Sequence, residues 1–98
     1  MARPKTFRRI AVNPEVFFFK PQGVPMRFLE QVDLSLDELE AVRLGDFEEY
    51  DMIKAARKMQ ISKSTFQRLL SSSHKKIADA LIEGKAIRIH KIIDFNYS

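Results

Sequence analysis

The chain has 98 residues, 45% of them hydrophobic, no cysteine and a formal net charge of +4. This length suits a single domain, residues 1–98, and the absence of cysteine excludes disulfides, thiolate nucleophiles and thiolate metal sites. Two histidines are too few for a His-only metal cage, so neither a metal nor a cofactor is predicted. No apolar run approaches the roughly 20 residues of a membrane span, and no apolar segment follows the basic N-terminus as in a secretory signal. The expectation is a cytoplasmic protein with no membrane partner.

Charge is divided along the chain into three blocks. Residues 1–27 carry six Lys and Arg against one acid, residues 28–51 carry one against nine, and residues 52–98 carry ten against three. Two basic blocks that flank an acidic one fit either solvated faces or contact with a polyanion. In the second case the acidic block faces away from the polyanion or neutralises a neighbouring group.

The first third of the chain predicts an arm followed by β structure. Residues 1–14 combine basic side chains with two prolines and no helical period, which is typical of an extended arm. Residues 16–34 form a strand and turn segment, in which VFFFK at 16–20 is the first strand and a Pro-Gln-Gly sequence makes the turn. The alternation over residues 28–34 predicts a second strand, with a helix starting at residue 26 as the competing interpretation. The phenylalanines of the first strand are assigned to the core in preference to base stacking.

Residues 35–84 predict a helical core that begins with a clear capping signal. Ser35 and Glu38 fit a capping box, because each side chain can bond the backbone amide of the other residue. Apolar residues then recur at helical spacing over 36–48, with Phe47 the last of them. The first helix is therefore predicted over residues 36–48.

Two further helices follow. Asp51 caps a short helix that ends at Gln60, with Ile53, Ala56 and Met59 on one face. Ser62 caps a third helix of about twenty residues that ends at Gly84. The predicted hydrophobic centre draws on all three helices: Leu39, Val42, Ala56, Met59, Ile61, Phe66, Leu69 and Ile77.

The C-terminal segment predicts a last strand. Residues 86–93, AIRIHKII, alternate between two faces and predict a half-buried strand at the edge of a small sheet made with the N-terminal strands. The predicted fold is mainly α: a helix-turn-helix core of three helices, with a basic N-terminal arm and a small β component from the flanking segments.

Residues 52–70 have the pattern of a helix-turn-helix. Such a motif needs a small residue at the helix crossing, an apolar closure of the first helix, an apolar turn residue and apolar anchors on the second helix. These positions are filled by Ala56, Met59, Ile61, Phe66 and Leu69. Gln60 replaces the common glycine of the turn, which predicts a left-handed backbone and some strain there.

The outward face of the third helix favours DNA as the partner. Its first turns carry hydrogen-bonding side chains that are predicted to bind DNA: Lys63, Ser64, Thr65, Gln67, Arg68 and Ser71. Arg and Lys match guanine O6 and N7, and Gln matches adenine N6 and N7. No carboxylate occurs from Met52 through Ile77, whereas a solvated helix face of that length usually mixes signs.

The arm supplies a second set of candidate DNA-binding residues: Arg3, Lys5, Arg8 and Arg9. N-terminal arms of this kind lie along the minor groove in other DNA-binding domains. A solubilising tail is the alternative interpretation. His74, beside two lysines on the third helix, is assigned to the surface.

Five stretches of the chain carry a family resemblance. They are RPKTFRRI at 3–10, FFKPQGVPMRFLE at 18–30, LSLDELEAVRLGDFEE at 34–49, AARKMQISKSTFQRLL at 55–70 and KKIADALIEGKAIRI at 75–89. The chain resembles an uncharacterised family of small archaeal and bacterial predicted DNA-binding proteins, whose helix-turn-helix is similar to region 4 of bacterial sigma factors. It departs from the family at Gln60, where glycine is usual, and at Asp51, where a serine cap is usual. The resemblance implies DNA binding and supplies no operator or regulated gene.

Three classes of function compete. The leading hypothesis is a double-stranded DNA-binding transcriptional regulator that inserts the helix after Ser62 into the major groove. The second is a protein interaction module that docks a basic partner on the acidic 36–51 helix. An enzyme ranks lowest, because the sequence shows no nucleophile paired with a general base, no glycine-rich phosphate loop and no cluster of metal ligands. A homodimer is predicted, since a single short recognition helix contacts few base pairs. Pairing is expected through the last strand or through a stripe of the third helix around Ile77 and Leu81. No small-molecule effector is assigned.

Overall fold

Three helices and a small sheet make up the part of the chain that the computed structural model describes, residues 9–11 and 17–90. Helix α1 spans Leu36–Val42, α2 spans Met52–Met59 and α3 spans Lys63–Glu83. Strands β1 (Phe18–Phe19), β2 (Gln31–Leu34) and β3 (Ala86–Ile89) form the sheet. The prediction of a mainly α fold with a small β component is confirmed.

Helix α1 begins at the predicted capping box and ends in a π-helical turn that was not predicted. The Ser35 amide donates to Glu38 Oε1 at 3.0 Å and the Glu38 amide donates to Ser35 Oγ at 3.3 Å. The π-helical turn, Arg43–Phe47, continues the helix with one additional residue per turn. This rotates the side chains that follow, so Leu44 is buried while Phe47, expected on the apolar face, is 78% exposed.

The connection between α2 and α3 is a tight turn in which the end of α2 and the start of α3 are both capped by hydrogen bonds. Gln60 is left-handed, with φ 59° and ψ 43°, as its place in the turn predicts. Its amide donates to the Arg57 carbonyl at 3.0 Å, and the Ile61 amide donates to the Ala56 carbonyl at 3.1 Å. These two bonds form a Schellman motif. The Ser62 hydroxyl then caps α3 by accepting from the Thr65 amide at 3.1 Å.

The other helix termini follow the predicted signals. Asp51 caps α2 by accepting from the Lys54 amide at 2.8 Å. Helix α3 ends at Gly84, whose φ of 68° suits a residue without a side chain. These ends follow their local sequences, because each cap bonds only residues within one turn of it.

The core lies between α3 and the two shorter helices. Its buried members are Ala41, Leu44, Ala55, Ala56, Met59, Phe66 and Leu69. Of the predicted centre, four residues are fully buried, and Ile61 is half-buried and packs against the cluster.

Three members of the predicted centre, Leu39, Val42 and Ile77, are only half-buried, and Ile53 is exposed. The expectation for these four positions was wrong. On α1 and α2 the buried apolar positions are taken by alanines and Met59, so the other large apolar side chains of these two helices lie partly or mostly in solvent.

Strand β3 is the central strand of the sheet, between β1 and β2. It pairs antiparallel with β1 and parallel with β2, so its predicted position at the sheet edge was wrong. The parallel pairing requires a long crossover, which the whole helical core between β2 and β3 provides. Residues 91–93 of the predicted strand lie outside the described residues.

The N-terminal strands are shorter than predicted. Strand β1 has only two residues, and a 3₁₀ turn at Met26–Phe28 precedes β2, so both interpretations of that segment were partly right. Phe18 and Phe19 are 49% and 53% exposed, which contradicts their assignment to the core. They lie on an edge strand, whereas α3 packs against β2 and β3. Within residues 9–11 and 17–90, no helix has the length and apolar character needed to cross a membrane.

Candidate nucleic-acid interface

The first turns of α3 present one polar face to solvent and one apolar face to the core. Phe66 and Leu69 are completely buried and fix the orientation of the helix. Five of the six predicted residues on α3 are exposed: Lys63, Ser64, Gln67, Arg68 and Ser71. The structure therefore brings these five together on one surface of α3, in a stretch of the helix that has no carboxylate before Asp79.

Thr65 differs from the other five because its hydroxyl accepts hydrogen bonds from side chains in the first turns of α3. It is half-buried and accepts a hydrogen bond from Ser62 Oγ at 2.9 Å. It also accepts from Arg68 Nη2 at 3.2 Å. Thr65 thus orients the guanidinium of Arg68 on the exposed face.

Helix α2 adds three exposed cations that sequence reasoning did not assign to the site. Lys54, Arg57 and Lys58 are spaced three and four residues apart and lie on one helix face. The Lys54 and Lys58 ammonium groups lie 4.5 and 5.2 Å from the centroid of the Tyr50 ring, an attractive cation–π geometry. The signal was present in the sequence, since the stretch without carboxylates begins at Met52 and includes all of α2.

A shallow groove joins the cations of α2 to the start of α3. It has a volume of about 550 Å³ and is lined by Asp51, Met52, Ile53, Lys54, Arg57 and Lys63. The Asp51 carboxylate in this groove is engaged as the cap of α2. The groove therefore brings three cations together, and its one carboxylate is engaged as a helix cap.

Only one residue of the predicted arm set lies within the described residues. Arg9 is exposed, and its amide donates to the carbonyl of Met59 at 2.9 Å, at the end of α2. This hydrogen bond places residue 9 of the arm beside the turn between α2 and α3. Arg3, Lys5 and Arg8 lie outside the described residues.

The acidic block is engaged mostly within the protein. Asp37, Glu38 and Glu40 are buried, and Glu38 accepts from the Lys76 ammonium at 2.8 Å. Other acids of the block pair with basic groups on the surface: Asp46 with His74 at 2.6 Å, and Glu48 with Arg43 at 3.1 Å. His74 is exposed, as predicted.

Among residues 9–11 and 17–90, no group of three or more histidine, aspartate or glutamate side chains converges as a metal site would.

Comparison with known proteins places the whole chain in one group of sequences. The model of a family described as a protein of unknown function, DUF134, matches residues 1–96. A UPF0251 protein of Halothermothrix orenii is 51% identical over 88 residues, which are 90% of this chain and 65% of that protein. UPF0251 proteins of Prosthecochloris aestuarii and Dehalococcoides mccartyi are each 49% identical, over 89% and 91% of this chain and 56% and 76% of their own lengths. The chain thus spans about three-fifths of the first two relatives. No solved structure matches it.

Proposed function

The chain belongs to the DUF134 family, and we propose that it is a double-stranded DNA-binding protein that acts in transcription regulation. The helix after Ser62 is the recognition helix of a helix-turn-helix and enters the major groove. One observation carries the proposal: the first turns of α3 expose five hydrogen-bonding side chains on the face opposite Phe66 and Leu69. A helix held in this way presents its polar face as a rigid surface, as direct contact with base edges requires.

The charge distribution supports this assignment. The exposed cations of α2 lie beside the recognition face, because Lys54 and Arg57 of α2 line the same groove as Lys63 of α3. Phosphate contacts of this kind supply affinity and fix the orientation of the protein on the duplex. In the helix-turn-helix geometry the first helix crosses the DNA backbone, which is the role that Lys54, Arg57 and Lys58 would have.

The side chains of the recognition face divide into two roles. Gln67 and Arg68 have the donors and acceptors that pair with adenine and guanine edges. Lys63, at the start of α3, and the arm residues Arg3, Lys5, Arg8 and Arg9 contact phosphates. Ser64 and Ser71 bond either bases or phosphates, and Thr65 positions Arg68.

The alternative of a docking surface on the acidic 36–51 helix receives less support. Three of its carboxylates are buried, and Glu48 and Asp46 are held by basic side chains of the same chain. A basic partner would have to displace these internal pairs. Apart from Asp51, whose carboxylate caps α2 in the groove, these acids therefore serve the proposed function by keeping negative charge off the DNA-facing surface.

A homodimer is part of the proposal, because two recognition helices double the number of base pairs contacted. Strand β3 does not offer the free edge that one route to a dimer required, since it is paired on both sides. The second route runs through the C-terminal half of α3. Of its predicted stripe, Leu81 is 74% exposed and Ile77 is half-buried, while the neighbouring Ile82 is 81% exposed.

Binding to duplex DNA tests the proposed function directly. Duplexes are selected from a random pool, and the affinity for a selected and a scrambled duplex is then measured as a function of salt. We expect preference for the selected duplex and an affinity that falls linearly with salt on a log-log scale. No binding to any duplex, or binding indifferent to salt, contradicts the proposal.

A further inference from the structure

Residues 9–11, the described part of the arm, are held at two points by hydrogen bonds from their backbone amides. The Arg9 amide donates to the Met59 carbonyl at 2.9 Å, and the Ala11 amide donates to Glu40 Oε2 at 3.0 Å. Ile10, between them, packs against the hydrophobic core. Three consecutive residues are thus fixed on the surface of α1 and α2, at the base of a basic arm.

Glu40 is an unusual acceptor, because its carboxylate is charged and almost completely buried. The residue is 2% exposed. Arg43 donates to both of its oxygens, at 2.7 Å from Nε and 3.0 Å from Nη2. This hydrogen bonding, opposed in part by burial, raises the pKa of Arg43 above its ordinary value. The pair orients one carboxylate oxygen toward the arm.

The attachment lies beside the proposed recognition elements. Met59 is the last residue of α2, and its carbonyl is one of those that a helix leaves without an intrahelical partner at its C-terminus. Arg9 satisfies this carbonyl next to the turn that leads into α3. Residues 9–11 of the arm therefore lie beside the turn that precedes the recognition helix, at a place fixed by two hydrogen bonds.

We propose that Glu40 is a positioning residue that anchors the basic arm beside the turn between α2 and α3, so that the arm is oriented for contact with the DNA backbone. This inference rests on the proposed DNA binding. Anchoring at residues 9–11 lowers the conformational entropy that the arm loses on the duplex, which favours binding without any contact between Glu40 and DNA. The ligand of the arm is the phosphodiester backbone, so the effect is independent of base sequence.

Two variants each remove the hydrogen bond between the Ala11 amide and Glu40, one by removing the donor and the other by removing the acceptor. Ala11→Pro removes the backbone donor and leaves Glu40 and Arg43 untouched, while Glu40→Ala removes the acceptor. Each is expected to weaken binding to selected and scrambled duplexes alike, by about tenfold, and to lower the salt slope by about one to two units. Because both act on one bond, the double variant should bind no more weakly than the weaker single variant. Glu40→Gln retains an acceptor oxygen and should recover part of the affinity.

The matched control is Glu48→Ala, which removes another acidic partner of Arg43 without touching the bond to Ala11. Its affinity should equal or slightly exceed that of the parent, and its salt slope should be unchanged. Ala11 is exposed, so Ala11→Pro decides the question if circular dichroism shows that Glu40→Ala is unfolded.

Hydrogen exchange in the DNA-free protein separates this inference from the proposed function. The Arg9 amide should exchange slowly in the parent and rapidly in Ala11→Pro, whether or not DNA binds. Equal exchange in the two proteins overturns the anchor. If exchange of the Arg9 amide changes as expected but both variants bind DNA as the parent does, residues 9–11 are anchored as described. The proposed effect of this anchoring on DNA binding is then contradicted. If the parent binds no duplex, the proposed function fails and with it the role of the arm.

Discussion

At Gln60 the chain adopts a left-handed backbone conformation at the point where α2 ends. The left-handed region brings Cβ close to the following carbonyl oxygen and costs a residue with a side chain roughly 1–2 kcal/mol. Gln60→Gly is therefore expected to raise the free energy of unfolding by about 1 kcal/mol, after the greater entropy of glycine in the unfolded chain is counted. Urea denaturation measures this change.

The control for Gln60 is the opposite substitution at the end of α3. Gly84 has φ 68°, so Gly84→Ala should destabilise the protein by a similar amount. A lower urea midpoint for Gln60→Gly would mean that contacts of the glutamine side chain outweigh the backbone strain.

Phe66 is the largest completely buried side chain within residues 9–11 and 17–90. A Cβ on Gly45 would lie 3.4 Å from its Cζ, which shows how closely the π-helical turn packs on the ring. We expect Phe66→Ala to lower the free energy of unfolding by about 3–5 kcal/mol, because the cavity adds to the lost transfer energy. Phe47→Ala, at an exposed ring, should stay within about 0.5 kcal/mol of the parent. Equal stability of the two variants by thermal or urea denaturation would contradict the packing.

At the scale of elements, α2 and α3 have different expected roles on DNA. Arg68→Ala should cost about 1–3 kcal/mol on the selected duplex and relax the preference at one base pair, because a bidentate guanine contact is lost. Arg57→Ala and Arg8→Ala should instead weaken binding to all duplexes about equally and lower the salt slope by about 0.9 each. Affinity measured against salt on selected and scrambled duplexes distinguishes the two outcomes.

Glu48→Ala is the control for this prediction as well, since removal of an acid outside the recognition face should leave affinity unchanged or slightly improved. If Arg68→Ala binds both duplexes as the parent does, α3 is not the recognition helix. The docking hypothesis for the acidic helix would then be the better one.

The elements also differ in how far their local sequence determines them. The caps at Ser35, Asp51, Ser62 and Gly84 were all predicted, because each depends on bonds within one helical turn. The π-helical turn at Arg43–Phe47 was not predicted, and it decides which side of that helix is buried. It lies where Gly45 meets α3, and periodicity within one helix contains no information about that contact.

At the scale of the whole molecule, the exposed apolar residues on the C-terminal half of α3 predict self-association. The parent should sediment as a dimer at micromolar concentration, whereas Leu81→Glu should sediment as a monomer with an unchanged circular dichroism spectrum, because burial of an unpaired charge at the contact is costly. Phe47→Ser is the matched control, since Phe47 is equally exposed on another element. A parent that is monomeric both free and on a selected duplex removes the dimer.

The sequence by itself determined the helices, their caps, the left-handed turn at Gln60 and the exposed face of α3, because these features depend on spacing and bonds within a few residues. Only the tertiary structure decided the central place of β3, the exposure of Phe18 and Phe19, and the inward orientation of the acids at 37, 38 and 40. Three of these positions have a partner far away in the chain: β2 for β3, Lys76 for Glu38, and the Ala11 amide for Glu40. A carboxylate in an acidic run has the same local pattern whether it faces solvent or a buried donor. Its environment is set by the elements that pack against it.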